Sequence, residues 1–256
     1  LNLEFSLLEN VEIGQLAYSN GFENEPIQEA GSLVLSSSRY PVKLLIAKNL
    51  GDFSIESTSP AVNAELMRHF DASLMPIRTS RLEDLAEVIN KAAAFAFALP
   101  NNALEAYQAE LNKIIIETPT QTETLAMVKR RIGQQKYREA MMTYWGGRCA
   151  VTGVAIPEVL RASHAKPWAE CETDAERLDV YNGFLLAAHL DALFDQFLIS
   201  FDESGLIVIS DQISADDCTK LGIQSDLKLR WITEQHKRYL VYHVNQLKQL
   251  LMFGNF

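Results

Sequence analysis

Leu160-Arg-Ala-Ser-His-Ala-Lys-Pro-Trp168, followed by Asn182-Gly-Phe-Leu-Leu186 and then by Leu190-Asp-Ala-Leu-Phe-Asp195, is the stretch whose reading decides the fold. Leu160 to Ala165 reads as an extended segment, Cys171 to Asp179 as a charged loop, Phe184 to Ala187 as a second strand, and about His189 to Gln196 as a short helix. His164 closes the first segment, and Asn182 stands just ahead of the second strand. Asp191 and Asp195 are four residues apart, so both carboxylates project from one face of the helix, one turn apart. Acids at that spacing commonly line a solvated face, but Leu190, Leu193 and Phe194 around them argue for a different use. A carboxylate pair of this kind suits a divalent cation, and oxygen ligands favour Mg²⁺ or Mn²⁺ over zinc. Cutting a phosphodiester needs a base to deprotonate water, something to fix that base, and a cation to neutralise the phosphorane and the leaving oxygen. His164, Asn182, Asp191 and Asp195 offer those parts.

With Arg148-Cys-Ala-Val-Thr-Gly153 upstream, these motifs resemble the HNH endonuclease family, whose ββα-metal motif runs strand, loop, strand, helix with a His, an Asn and helix-borne metal ligands in this order. The resemblance is to the branch common in bacterial restriction and defence genes. It covers roughly residues 121 to 250, and nothing comparable reaches residues 1 to 118. It implies that His164 is the general base, that Asn182 holds the strand–loop geometry aiming it, and that Asp191 and Asp195 bind the metal. Many family members place an Asp or His directly before the base as a further ligand, whereas this chain has Ser163. Fewer protein ligands and more waters follow, which suits Mg²⁺. Many relatives also bracket the motif with two Cys-x-x-Cys pairs that bind structural zinc. Here Cys149 is followed three residues on by Thr152 and no second pair exists, so packing must replace that metal.

Three cations are candidates for contact with DNA phosphates: Lys166, Arg161 and Arg148. On an extended segment Arg161 lies on the face opposite His164, which makes Lys166, on a loop, the better phosphate contact. His189 precedes Asp191 by two residues and points about 200° around the helix from it, at about 100° per residue, so it is secondary. His69, His236 and His243 have no partner pattern and read as packed or surface residues. Trp145 and Trp168 read as packing residues, and Cys149 as a small buried hydrophobe.

Outward from this stretch, the 256 residues carry a formal charge of −10, with 48% hydrophobic and 22% charged residues. Such a composition excludes a fibrous or disordered chain. The acidity on its face argues against nucleic acid, yet it is unevenly placed. Residues 1–120 are net −8, while Gln121 to Lys166 is net +5, with Lys129, Arg130, Arg131, Lys136 and Arg138 leading into the motif. No window approaches the roughly 18 consecutive apolar residues that span a bilayer. Leu1-Asn2-Leu3-Glu4 lacks the basic and apolar regions of a secretory signal, and Cys149, Cys171 and Cys218 form no disulfide framework. The expectation is a cytoplasmic protein without a membrane partner.

The first 60 residues read as a small sheet, with β-favouring runs at Ser32 to Leu35 and Val42 to Ala47. Leu82 to Leu99 and Ala103 to Ile116 read as a helix pair interrupted by Pro100. Glu117 to Thr122 is the linker candidate, and Thr122 opens a long basic helix to about Trp145. Arg148 to Val151 reads as a short strand or extended segment, Leu198 to Phe201 and Leu206 to Ser210 as a hairpin, and about Ile232 to Leu251 as a closing helix. The fold class is therefore α+β. An amino-terminal α+β domain over residues 1–118, for target recognition or regulation, precedes a ββα-metal nuclease domain with flanking helices over residues 119–256.

The resemblance implies a metal-dependent DNA endonuclease using Mg²⁺ or Mn²⁺ on double-stranded DNA, a restriction or phage-defence enzyme. Its amino-terminal domain would select sequence or modified bases. The alternatives are a defence effector nuclease whose acidic amino-terminal domain binds a protein or small signal, and an inactive DNA-binding relative. Cutting two strands with one site per chain points to a homodimer.

Overall fold

Alternating apolar residues build the sheet of the amino-terminal unit. In the computed structural model, which describes residues 4–117 and 122–253, five strands pair antiparallel in chain order: β1 (Ile27–Glu29), β2 (Ser32–Leu35), β3 (Leu44–Lys48), β4 (Phe53–Ser57) and β5 (Ile77–Thr79). The register sets Leu35 opposite Leu44, Leu33 opposite Ile46, and Ile46 opposite Ile55, which faces Ile77. Residues of one parity therefore share one face, and all of these are buried. Three helices complete the unit: α1 (Leu7–Ser19), α2 (Pro60–His69) and α3 (Leu82–Ala98). Ser6 caps α1 in a reciprocal pair with Glu9, and Ser59 caps α2 ahead of Pro60. The helix α3 buries Leu85, Val88, Ile89 and Ala92 at helical spacing and packs against both α1 and α2.

The chain packs as two compact units, Leu1–Asn102 and Ala103–Phe256. Pro100 ends one helix and opens the next, because its fixed φ suits a first helical turn and its missing N–H is not needed there. That next helix, α4 (Pro100–Glu117), lies mostly within the second unit, with Ala103, Tyr107 and Leu111 buried along one stripe and Glu110 ion-paired to Lys136 at 2.9 Å. The expected junction around Pro119 lies outside the described residues.

The second unit continues with the long helix α5 (Thr122–Tyr144), then β6 (Leu160–His164), the one-turn α6 (Asp174–Arg177), β7 (Gly183–Ala187) and α7 (Ala188–Asp195). Strands β6 and β7 pair antiparallel from Leu160 opposite Ala187 to His164 opposite Gly183, and α7 packs on them. The hairpin β8 (Ile199–Phe201) and β9 (Ile207–Ile209), α8 (Ala215–Lys220) and α9 (Glu234–Phe253) follow. Helices together with antiparallel sheets make this an α+β protein, as the sequence predicts.

One expected strand is corrected. Arg148 to Val151 is a turn, because Gly146, Gly147 and Gly153 all take positive φ and the segment folds on itself. The Gly153 N–H donates to the Cys149 carbonyl at 3.1 Å, and the Cys149 N–H to the Val154 carbonyl at 2.8 Å. The Ala150 N–H then ties the turn to the Leu185 carbonyl in β7. The loop expected over Cys171 to Asp179 also holds α6, capped by Thr173.

Candidate active site

Neighbouring residues of β6 serve opposite partners. Ser163 turns toward α7, where its hydroxyl donates to Asp191 Oδ1. His164 turns toward α5, where its ring stacks on Tyr137 at 3.8 Å between centroids and 24° between planes. Trp168 meets the imidazole edge-on at 5.7 Å.

The imidazole is held in one tautomer. Its Nε2 lies 2.8 Å from the Arg177 carbonyl. A carbonyl only accepts, so Nε2 carries the hydrogen and Nδ1 presents its lone pair. Among the described residues Nδ1 has no hydrogen-bond partner. Burial lowers the His164 pKa from 6.5 to about 4, opposed only in part by the Arg177 carbonyl, so the ring is neutral at pH 7. The Arg177 carbonyl is itself fixed, since its guanidinium donates to the Trp168 carbonyl at 3.2 Å and to the Cys171 carbonyl, and pairs with Asp174 at 3.0 Å.

Asn182 is fully buried and its amide is committed to the loop behind His164. Its Oδ1 accepts the Lys166 N–H at 2.8 Å, and its Nδ2 donates to the Lys166 carbonyl, the Glu176 carbonyl and Cys171 Sγ at 3.1–3.3 Å. The Ala165 N–H donates to the Asn182 carbonyl at 3.1 Å. The side chain thus staples the loop from Lys166 to Glu176 onto the start of β7, without a hydrogen bond to the imidazole. A buried carboxylate pins the same region: Asp179 accepts from the Tyr181 N–H at 2.9 Å, from Arg238 at 2.7 Å and from the Tyr239 hydroxyl at 2.9 Å, fastening the loop to α9.

Asp191 and Asp195 lie one turn apart on α7. Desolvation by the protein packed around the carboxyl, with the Asp191 charge beside it, raises Asp195 to about 6 although the residue is exposed. A carboxylate whose ionisation a neighbouring negative charge disfavours is relieved by a cation, and every donor here, with the Ser163 hydroxyl, is oxygen. Among the described residues no three His, Cys, Asp or Glu side chains converge as a ligand set. These residues fit a hydrated hard cation held by two carboxylates, and they do not fit a zinc cage.

The three expected phosphate contacts are placed differently from one another. Lys166 is ion-paired to Glu176 at 2.9 Å. Arg161 is exposed, and its guanidinium donates to the Glu158 and Leu160 carbonyls at 2.8 and 3.0 Å, on the other face of β6 from His164. Arg148 is exposed beside the Gly153 carbonyl. His189 is exposed, whereas His236 and His243 are buried. His243 lies between Ser200 Oγ at 2.9 Å and the Phe194 carbonyl at 3.0 Å and stacks on Phe194. The Cys149 thiol is buried and accepts the Thr152 N–H at 3.4 Å and the Ala187 N–H at 3.3 Å. Packing and backbone bonds thus hold this turn through the thiol.

Tyr137, Trp168 and the Arg177 carbonyl are absent from the sequence-derived site. Tyr137 had a signal, because Ile132, Gly133, Tyr137, Ala140, Met141 and Tyr144 form the buried stripe of α5. A backbone carbonyl has none, since every residue carries one.

Residues 149–202 match the family model described as HNH endonuclease. The span runs from Cys149 to β8 and includes His164, Asn182, Asp191 and Asp195. It supports a nuclease, in a family that is generally metal-dependent and acts on DNA. No curated protein matches the chain. Among the described residues no helix is long and apolar enough to cross a membrane.

Proposed function

We propose that the protein is a Mg²⁺- or Mn²⁺-dependent endonuclease of double-stranded DNA in which His164 is the general base. The observation that carries this reading is the imidazole itself: neutral, with Nε2–H locked on the Arg177 carbonyl and Nδ1 left basic, at the end of the strand whose preceding residue holds Asp191. His164 Nδ1 takes a proton from water, the resulting hydroxide attacks phosphorus in line, and the P–O3′ bond breaks, with O3′ leaving as an oxyanion that takes a proton from solvent water. The products are a 5′-phosphate and a 3′-hydroxyl. Asp191 and Asp195 would hold the cation, which supplies charge neutralisation at the phosphorane and the leaving oxygen. Ser163 orients Asp191. Asn182 acts by fixing the loop that follows the base.

Recognition belongs, on this reading, to residues 1–118, and residues 119–256 cut. A nuclease motif that reads little sequence needs a separate reader of sequence or modified bases, which supports a cytoplasmic restriction or phage-defence enzyme working as a homodimer, by analogy alone. One observation favours a second reading of the amino-terminal part. Residues 1–120 are net −8, and a duplex reader ordinarily offers a basic stripe. A protein or small-signal partner there would make the chain a defence effector with the same nuclease chemistry.

Plasmids with plain, methylated and hydroxymethylated cytosine, incubated with the protein and Mg²⁺ or Mn²⁺, test the proposal. Metal-dependent cutting that stops with chelator supports a nuclease. Dependence on the modification supports a DNA reader, and indifference to it favours the effector. Binding without cutting under every metal would leave the inactive DNA-binding relative.

A further inference from the structure

The long helix ahead of the motif meets the base and the neighbouring Trp168 from two positions one turn apart. Gly133 lies against the Trp168 ring, so closely that a Cβ there would sit 2.4 Å from Trp168 Cη2. Tyr137, 1% exposed, lies flat against the His164 imidazole. The helix thus bounds the imidazole on one face through Tyr137 and backs the Trp168 ring that meets its edge.

The Tyr137 hydroxyl does something a space-filling ring does not require. It reaches the Asn182 carbonyl at 3.0 Å and the Ser163 carbonyl at 3.2 Å. Those carbonyls belong to the two strand ends where His164 pairs with Gly183. Burial pushes the phenol well above its ordinary value, so it stays a donor, sharing one proton between two acceptors. The approach needs glycine at position 183. A Cβ there would lie 1.8 Å from the Ser163 carbonyl oxygen and 2.6 Å from the Tyr137 hydroxyl, on a backbone with φ of +147°.

We propose, on the reading of His164 as the base, that Tyr137 is its positioning residue. The ring face sets the imidazole plane, so that Nε2 meets the Arg177 carbonyl and Nδ1 is presented. The hydroxyl holds the two strand ends in register, which fixes where that plane stands relative to Ser163 and Asp191. Tyr137 touches no reacting atom and acts only through His164.

Two full-length variants separate the ring from the hydroxyl: Tyr137→Phe keeps the stack, and Tyr137→Leu removes it. Each is measured by ¹⁵N imidazole NMR without metal or DNA, with the His164 signals assigned by a His164→Gln variant, and by plasmid cleavage with Mg²⁺. Wild type and Tyr137→Phe are expected to show one His164 tautomer, protonated at Nε2. Tyr137→Phe should lose about threefold to tenfold in kcat with KM unchanged. Tyr137→Leu should show averaged tautomers and lose about a hundredfold in kcat with KM within about twofold, the scale expected of a misplaced reacting group. A folded Tyr137→Leu with a single tautomer and wild-type kcat overturns the proposal, as does a loss seen wholly in KM. If Tyr137→Leu does not fold, Tyr137→Phe decides: wild-type kcat overturns the role of the hydroxyl, and a mixed tautomer overturns the role of the ring. A wild type that cuts no DNA but whose imidazole responds as stated sinks the nuclease reading while supporting the positioning of the ring.

Discussion

His164 closes β6 and Asp191 stands on α7, held by the neighbouring Ser163, and the removal of each residue around them is expected to have different consequences. Asp191→Ala should abolish metal-dependent cleavage and leave the fold intact, because the pair with Asp195 is repulsive without a cation and its loss relieves that repulsion. Melting temperature beside a cleavage assay checks this, and a variant unfolded at room temperature would make Asp191 structural. Asn182→Ala should behave in the opposite way. It strands the Lys166 N–H, takes the side-chain donor from the Glu176 carbonyl and leaves the Lys166 carbonyl with the Cys171 thiol alone, a loss of about 1–3 kcal/mol for each group left unsatisfied. Urea unfolding should therefore register a large destabilisation; wild-type stability would show that this amide is not the staple described. A pH dependence follows from His243, which burial lowers from 6.5 to about 4. The unfolded chain takes up this proton near 6.5 and the fold resists it until about 4, so the stability it supports is complete above 6.5 and is lost as pH falls through about 4. Its imidazole resonances should stay those of a neutral ring down to about pH 5, and titration near 6.5 would contradict the burial argument.

The residue scale also shows what a sequence can carry. The order and spacing of His164, Asp191 and Asp195 predict a strand end followed by one helix face, and they stand at the end of β6 and one turn apart on α7. Asn182 was legible as a position, but its partners were not, since three of the four are backbone atoms and carry no residue identity. The Lys166–Glu176 pair spans a loop with no period to align the two charges, so Lys166 read as a free cation.

At the scale of elements, β6, β7 and α7 were read to within a residue or so, because each has its own period and the family motif fixes their order. The turn at Arg148 to Gly153 was not, since its β-favouring Cys149 and Val151 were overruled by three glycines at positive φ. The helix α1 has no legible period for a related reason: Leu7, Leu8, Val11 and Tyr18 are exposed while Ile13 and Ala17 are buried, so apolar residues mark no single face. The Ser6–Glu9 capping box was the available signal. The close approach of β6 and β7 yields a prediction at this scale. Gly183→Ala places a Cβ 1.8 Å from a backbone oxygen that cannot move without breaking the ribbon. The loss should be several kcal/mol, on the order of the largest single-site effects, and a thermal melt close to wild type would contradict the packing.

At the scale of the whole molecule, the charge of −10 conceals two unlike parts: residues 1–120 at −8 and Gln121 to Lys166 at +5. Lys129, Arg130 and Arg131 are exposed on α5. Replacing all three with Gln should weaken duplex binding and flatten its dependence on salt, with little change in melting temperature, as loss of phosphate contacts requires. Fluorescence anisotropy at two salt concentrations checks it, and an unchanged slope would remove α5 from the DNA surface.

The claim on which the rest depends is that His164 takes the proton from the attacking water. Cleavage of a plasmid by wild type and by folded His164→Ala, with Mg²⁺ at saturating protein, tests it most directly. The account predicts cutting by wild type to 5′-phosphate and 3′-hydroxyl ends and a loss of about a hundredfold or more in the variant, the range of general-base contributions. Equal cutting by His164→Ala would contradict it.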